Sequence, residues 1–166
     1  MTTMCIAAAN YIIDRTNQYN ENHSFQDRIL LTGKRLQKML FFCDVEYMLQ
    51  HEGKSMFSDE YYAWPSGPVI PSVYYNYMHF QNGTMRPVEE GQHSPLSPEM
   101  KTTIDSVFSK TCTLDTFDLV ELSHVKNGPW AQVYKDEDSK HEERIPKELI
   151  YGYYKSKGLV LGNSES

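Results

Sequence analysis

The segment from Thr32 to Gly53 constrains the fold of this 166-residue chain more strongly than any other part of it. Thr32 is a residue type that caps helix N-termini, and Gly53 is one that ends helices. Between them, apolar side chains recur every three or four residues, which is the spacing of one face of an α-helix. These side chains are Leu36, Met39, Leu40, Cys43 and Tyr47. The pattern predicts a long helix with one broad buried face.

Further helices are predicted wherever a helical apolar spacing follows a capping residue or a first-turn proline. Gly158 is expected to end the last of them. The predicted helices are Met4 to about Gln18, a short one from Pro71 to Asn82-Gly83, Ser97 to about Thr111, one capped by Asp115 or Thr116, a short one from Gly128-Pro129, and Pro146 to Gly158.

One region of the chain is predicted to form β structure. The segment from Phe57 to Trp64 is rich in aromatic residues and is bounded by turn residues, so it is predicted to be a strand that pairs with Thr84 to Val88. A turn is expected at Ser66-Gly67-Pro68. The charged stretch from Asp136 to Arg144 lacks a periodic pattern and is predicted to be a solvated loop.

These elements predict a mainly α fold: an irregular compact helical domain of about six or seven helices with a small two-stranded β element. Hydrophobic residues make up 40% of the chain, and 166 residues supply enough of them for one core but not for two. We therefore expect a single domain at residues 1–161 and a polar C-terminal tail at residues 162–166.

The charge balance argues against nucleic-acid and membrane partners. Sixteen basic and 22 acidic residues give a formal net charge of −6, so attraction to phosphate backbones or anionic lipids is not expected. The sequence contains neither a signal peptide pattern nor a run of ~18 apolar residues, so the protein is expected in the cytoplasm. Cys5, Cys43 and Cys112 lie far apart in apolar helical stretches, which is typical of reduced, buried thiols.

No convincing catalytic or metal-binding motif occurs in the sequence. His51-Glu52 and His141-Glu142 begin like the helical zinc motif, but Ser55 and Ile145 stand where that motif needs its second histidine. A nucleophile elbow, a phosphate-binding glycine loop and a close pair of cysteines are also missing. We expect no catalytic residue, metal or cofactor, and we expect a protein that acts by binding another protein.

Three groups of residues, taken in order, resemble the Panacea domain, the family of SocA-like antitoxins and phage-associated GepA proteins. The similarity extends from about Ala7 to Tyr154, and its specificity lies in the order of the groups. This sequence departs from the family pattern at Gly33, where the family often has proline. Glycine at that position weakens the start of the helix. The groups are Leu36 to Phe42; then Ala63-Trp64, Gly67-Pro68-Val69 and Val73-Tyr74; then Leu122-Ser123-His124 and Pro129-Trp130.

The resemblance implies an antitoxin of a bacterial or prophage toxin–antitoxin system. Such a protein would bind a toxin encoded beside it and hold the toxin inactive, which requires no chemistry. The family's toxins are diverse, so the resemblance implies a class of partner and not one toxin. A role as an adaptor for a protease system is a further alternative.

The candidate partner-binding residues fall into two sets, each with a structural alternative. Lys34, Arg35 and Lys38 place three cations at a helix start, where the macrodipole favours anions. They are either an anchor for an acidic patch of the toxin, or side chains that are paired with acids such as Asp27 or simply solvated. On the first hypothesis, reversing Lys34 and Arg35 should slow association and leave the melting temperature unchanged. The second set contains aromatic and turn residues that either contact the toxin or build the fold: Tyr61, Tyr62, Trp64, Gly67, Pro68, Tyr74, Tyr75, His124 and Trp130.

Two other function classes are compatible with the sequence. A DNA-binding regulator that represses its own promoter would need a cationic recognition helix, which the acidic balance does not supply. A small hydrolase or nuclease using His124 would need a second catalytic partner.

Overall fold

The fold is mainly α-helical, as predicted. The computed structural model describes residues 3–80, 84–88, 95–135 and 142–161. Seven α-helices lie in these ranges: α1 (Met4–Glu21), α2 (Gly33–Gln50), α3 (Pro71–Tyr77), α4 (Pro98–Thr111), α5 (Thr116–Ser123), α6 (Pro129–Val133) and α7 (Lys147–Lys157). The same ranges contain three short strands, β1 (Tyr61–Trp64), β2 (Gly67–Val69) and β3 (Arg144–Ile145), and two short 3-10 helices, Phe25–Asp27 and Met78–Phe80.

Helix α2 is the centre of the molecule. It contacts α1, α3, α4, α5, α7 and β2. Thirteen of its 18 residues are buried, so the helix is enclosed around its whole circumference instead of along the single predicted face. The predicted cap is confirmed, because the Thr32 side chain accepts a hydrogen bond of 3.1 Å from the Arg35 amide. The helix ends at Gln50, three residues before Gly53.

Because α2 is enclosed, its polar side chains bond to the elements packed around it. Gln37 pairs with both backbone groups of Ile70, at 3.1 and 2.9 Å. Asp44 accepts hydrogen bonds from the Ser55 hydroxyl, the Met56 amide and the Tyr61 hydroxyl. Burial raises the pKa of Asp44, and these three donors oppose that effect. The two side chains fix the start of α3 and the approach to β1.

Two asparagines of α1 hold neighbouring segments in the same way. Asn10 pairs with the backbone amide and carbonyl of Val88, at 2.9 and 2.6 Å, and Asn20 pairs with those of Ile29, at 2.7 and 2.9 Å. The prediction that Thr84 to Val88 pairs with the strand ending at Trp64 is therefore wrong. A side-chain amide of α1 takes the hydrogen bonds of Val88 that a strand would have taken.

The strands form one antiparallel sheet in the order β2-β1-β3. Trp64 pairs with Gly67 across the two-residue turn Pro65-Ser66, and Tyr62 pairs with Val69. The turn therefore lies one position earlier than predicted, and Gly67 and Pro68 belong to β2. Proline is tolerated there because β2 is an edge strand, where a ladder donor is not required.

The first strand is also shorter than predicted, and it has a partner that the sequence did not indicate. It begins at Tyr61 instead of Phe57. On its other side it pairs with β3, whose first residue, Arg144, was assigned to the predicted loop. A two-residue strand is too short to show the alternating pattern by which strands are recognised.

Most of the other predicted helix ends are confirmed. Ser97 caps α4, Asp115 caps α5 in a capping box with Asp118, and Gly158 ends α7 with φ of +77°. The predicted turn at Asn82-Gly83, the loop residues 136–141 and the tail 162–166 lie outside the described residues. No helix in the described ranges is both long enough and apolar enough to cross a bilayer.

Candidate functional site

The residue groups of the resemblance, which are far apart in the sequence, meet at the side chain of Lys38. Its Nζ atom lies 3.4 Å from the carbonyl oxygen of Pro68 in β2. Gly67 has φ of +121°, and a Cβ atom there would lie 2.6 Å from Lys38 Cε and 2.7 Å from the Ser123 hydroxyl at the end of α5. Glycine is therefore required at position 67, because the lysine side chain and α5 occupy the space of a side chain.

Lys38 is fully buried without a counter-ion. Its side chain has 0% exposure, and no carboxylate of the described residues lies within 4.0 Å of its Nζ atom. Burial, assisted by the charge of Lys34, lowers the pKa of Lys38 to about 7. A buried, unpaired ammonium destabilises a fold, and such groups are concentrated at functional sites. Lys38 is therefore a candidate functional residue.

A stack of rings closes the site on the side of α6. The Trp130 indole donates a hydrogen bond of 2.7 Å to the carbonyl oxygen of Trp64. The His124 ring stacks on Trp130 with a centroid distance of 3.7 Å, and Tyr134 stacks on its other face at 4.6 Å. Burial lowers the pKa of His124, while a hydrogen bond with the Ser66 backbone opposes that effect. In this position His124 and Trp130 join α5 and α6 to the sheet.

The four candidate tyrosines lie in different environments. Tyr61 is 1% exposed and its hydroxyl donates a hydrogen bond to Asp44, which favours the structural alternative for this residue, and its role in partner binding stays a prediction. Tyr62 is half-buried. Tyr74 packs edge-on against Trp64 at 5.1 Å and Tyr75 packs edge-on against Tyr74 at 5.3 Å, and both are exposed.

The three cations at the start of α2 do not form the predicted exposed cluster. Arg35 is buried, and its guanidinium donates hydrogen bonds to the carbonyl oxygens of Thr111 and Leu114, at 3.0 and 2.8 Å. Lys38 is buried as well, so of the three cations only Lys34 is exposed, and a role of these cations in binding an acidic patch of the toxin stays a prediction. Arg35 stabilises the C-terminal end of α4, where cations are favoured. In the described residues, no ion pair joins the cations to Asp27.

A groove of about 790 Å³ opens in front of the start of α2, and we call it the α2 groove. Its walls are mainly apolar and come from the end of α1, from the segment before α2, from α2 itself, from the β1–β2 hairpin and from α3 with the residues that follow it. The lining includes Leu30, Leu31, Thr32, Gly33, Lys34, Leu36, Gln37, Lys38, Trp64, Ser66, Val69, Val73, Tyr74, Tyr77, Met78, Phe80, Thr84 and Met85. Lys38 thus lies between the ring stack and this groove.

The rim of the α2 groove is unusually apolar. Leu30 is 79% exposed, and Tyr74 and Met78 are exposed as well. Together with Tyr75, which lies beside Tyr74, they make up half of the large hydrophobic side chains that are exposed in the described residues. A concentration of exposed apolar side chains is typical of interaction surfaces.

The sequence analysis missed several residues of this rim. Leu30 and Leu31 directly precede the Thr32 cap, at the end of an otherwise polar stretch. Apolar residues before an N-cap commonly pack on the first turn of the helix, and that position was a signal that could have been used. Met78 of the rim and the buried Met85 of the groove lining carried no such signal, because they flank a segment without a clear pattern.

The structure offers no obvious place for a metal ion in the part of the chain that it describes. No three His, Cys, Asp or Glu side chains of those residues lie close enough together to hold one. Cys5 and Cys43 are buried and Cys112 is half-buried, and all three are unpaired. Burial raises the pKa of Cys5 and of Cys43, which lowers the reactivity of both thiols.

Comparison with known proteins gives one match. A family model described as the SocA-like antitoxin, Panacea domain, matches residues 36–131, which is more than half of the chain. The matched range contains Lys38, the β1–β2 hairpin, α3, and His124 and Trp130 of the ring stack. None of the curated proteins and none of the solved structures compared with this chain matches it.

Proposed function

The chain belongs to the SocA-like Panacea domain family of antitoxins, and from that premise we propose that it neutralises a protein toxin by binding it directly in the cytoplasm. The toxin is expected to be encoded beside it. The observation that carries the proposal is that the family match covers the residues which build the Lys38 site and much of the α2 groove. The action is stoichiometric, because a bound toxin is blocked without any bond being made or broken.

The exposed apolar rim supports a protein partner. Leu30, Tyr74, Tyr75 and Met78 extend the surface beyond the groove itself, and aromatic residues and methionine are enriched at protein interfaces. Tyrosine buries a large area while few rotatable bonds are frozen. We place the centre of the toxin interface at this rim, with Tyr74 and Tyr75 as contact residues. Trp130 and His124 then have a structural role, because they join α5 and α6 to the sheet.

Co-expression tests the proposal. The probe is the polypeptide encoded by the reading frame next to this chain, expressed from an inducible promoter with and without this chain. We expect that the neighbouring product stops growth when expressed alone, that growth is restored by this chain, and that the two proteins copurify as a stable complex. A neighbouring product that is toxic in both cases, or a chain that protects without forming a complex, would contradict the proposal.

A matched pair of variants locates the interface. Tyr75→Ala removes an aromatic side chain that is 63% exposed at the rim, and Phe117→Ala removes one that is 69% exposed on α5, outside the α2 groove. We expect Tyr75→Ala to weaken the complex at least tenfold and Phe117→Ala to change it less than twofold, because central aromatic contacts carry most of the binding energy. Equal effects of the two variants would place the interface elsewhere.

A further inference from the structure

The charges that line the α2 groove differ in sign from those of the chain as a whole. The chain has 22 acidic and 16 basic residues, yet the described residues of the groove lining include two lysines, Lys34 and Lys38, and no carboxylate. A concave apolar surface with charges of one sign concentrates the field of those charges. The described lining of the groove therefore carries only positive charges on an acidic protein.

The backbone adds to this positive potential. Gly33 and Lys34 are the first residues of α2, and both line the groove. The Thr32 side chain and carbonyl accept from the amides of Arg35 and Leu36, but no acceptor among the described residues bonds to the amides of Gly33 and Lys34. Amides at the start of a long helix favour an anion in front of them.

Lys38 is an independent observation that points to an anion at this position. Its ammonium group is fully buried beside the groove, and within the described ranges its one hydrogen bond is the 3.4 Å contact with the Pro68 carbonyl. An ammonium group can donate three hydrogen bonds, and burying it without a counter-charge is unfavourable. A carboxylate placed at the start of α2 would stabilise its charged form.

The shape of the surface favours a polypeptide over a small anion. Val69, Val73 and Leu36 give the groove an apolar floor, and the apolar rim continues outside it to Tyr75. A small molecule confined to the groove would leave that rim exposed to water. A protein segment with apolar side chains next to a carboxylate would cover both the groove and the rim.

We propose that the α2 groove binds a segment of the toxin in which an Asp or Glu lies beside apolar residues, with its carboxylate at the start of α2 between Lys34 and Lys38. This inference rests on the proposed function. In this arrangement the exposed Lys34 contacts the toxin directly, and the charge of the buried Lys38 stabilises the same carboxylate from within the protein.

Charge reversal in the purified complex tests the inference. Lys34→Glu and Lys54→Glu change the net charge equally, but Lys54 follows the opposite end of α2, which as an 18-residue helix is about 27 Å long. With the toxin defined above, we expect Lys34→Glu to slow association about tenfold at low salt and less at high salt, and Lys54→Glu to slow it less than twofold. Equal effects of the two variants would overturn the inference.

A second measurement identifies the contact itself. Treatment of the native complex with a water-soluble carbodiimide joins amines to carboxylates that are already paired, and peptide mass spectrometry then identifies the linked residues. We expect Lys34 linked to an Asp or Glu of the toxin that has apolar neighbours. A stable complex in which Lys34 is never linked and Lys34→Glu has no effect overturns this inference alone, whereas failure of the native proteins to form a complex contradicts the proposed function and the inference with it.

Discussion

The side chain of Lys38 crosses Gly67 so closely that a Cβ atom on the glycine would lie 2.6 Å from Lys38 Cε. The buried lysine and the bare backbone of β2 therefore fit one another. Because α2 and β2 are both anchored at this contact, the start of the α2 groove is shaped by it. The stability of the protein should be sensitive to either residue, but in opposite directions.

Gly67→Ala should destabilise the protein by about 1–3 kcal/mol, because alanine is strained at a φ of +121° and its methyl group would collide with Lys38 and Ser123. The matched control is Gly152→Ala in α7, where a Cβ atom meets nothing within 4 Å. That variant should be more stable than the native protein by about 0.5–1 kcal/mol, because alanine is a better helix former. Urea unfolding of the two variants measures both changes, and a loss of stability for Gly152→Ala or none for Gly67→Ala would contradict the geometry.

Lys38→Met should stabilise the protein, because it replaces a buried unpaired charge by an apolar side chain of similar length. The gain should be about 1–4 kcal/mol at pH 6. Thermal unfolding of both proteins between pH 6 and pH 10 provides the measurement. An exposed lysine, Lys54→Met, is the control and should show no such gain.

The gain should shrink as the pH rises. The pKa of Lys38 is lowered from 10.5 to about 7 in the folded state, so between these values the unfolded chain binds more protons than the folded one. The stability contribution of Lys38 therefore rises with pH from about 7 to about 10.5, and the advantage of methionine is largest below pH 7. A stability difference that is constant across this window would show that Lys38 is not buried as a charge.

Arg35→Glu should destabilise the protein by about 3 kcal/mol or more, because it places an unpaired carboxylate against the carbonyl oxygens of Thr111 and Leu114. Lys34→Glu, one residue earlier and exposed in the first turn of α2, should change stability by less than about 0.5 kcal/mol. Chemical unfolding at pH 7 distinguishes the two. Similar results for both would mean that Arg35 is exposed in solution.

Trp130→Phe should destabilise the protein by about 1–2 kcal/mol, because it keeps a ring between His124 and Tyr134 but removes the indole donor to the Trp64 carbonyl. The junction of α6 with the sheet should loosen as a result. Hydrogen exchange of the β1 amides would report the loosening, and unchanged exchange together with unchanged stability would contradict a structural role for this bond.

The helices could be predicted from the sequence because their signals are local. Ser97, Asp115 and Gly158 each act on backbone groups within a few residues, so a cap or a stop is visible in a short window. The strand partners could not be predicted in this way. Ile145 pairs with Tyr61 across more than 80 residues, and the amide of Asn10 takes the hydrogen bonds that the segment ending at Val88 was expected to give to a strand.

The candidate site was predicted in part. Trp64, Gly67, Pro68 and Trp130 were candidate residues from the sequence, and the structure joins Trp130 to Trp64 and packs Gly67 and Pro68 against Lys38 of α2. Burial of Arg35 and Lys38 could not be read from the sequence, because a run of cations at a helix start looks solvated until the helix is known to be surrounded. Met78 of the groove rim could not be predicted either, since it reaches the rim through the packing of α3 against α2.

Growth protection by Lys38→Met is the most direct test of the central claim. The claim is that the buried Lys38 contributes to toxin binding and does not stabilise the fold. The variant is expressed with the toxin encoded beside the native gene, and its melting temperature is measured in parallel at pH 7. We predict that the variant melts at a higher temperature than the native protein and yet binds the toxin at least tenfold more weakly and fails to restore growth. A variant that is more stable and protects as well as the native protein would contradict the claim.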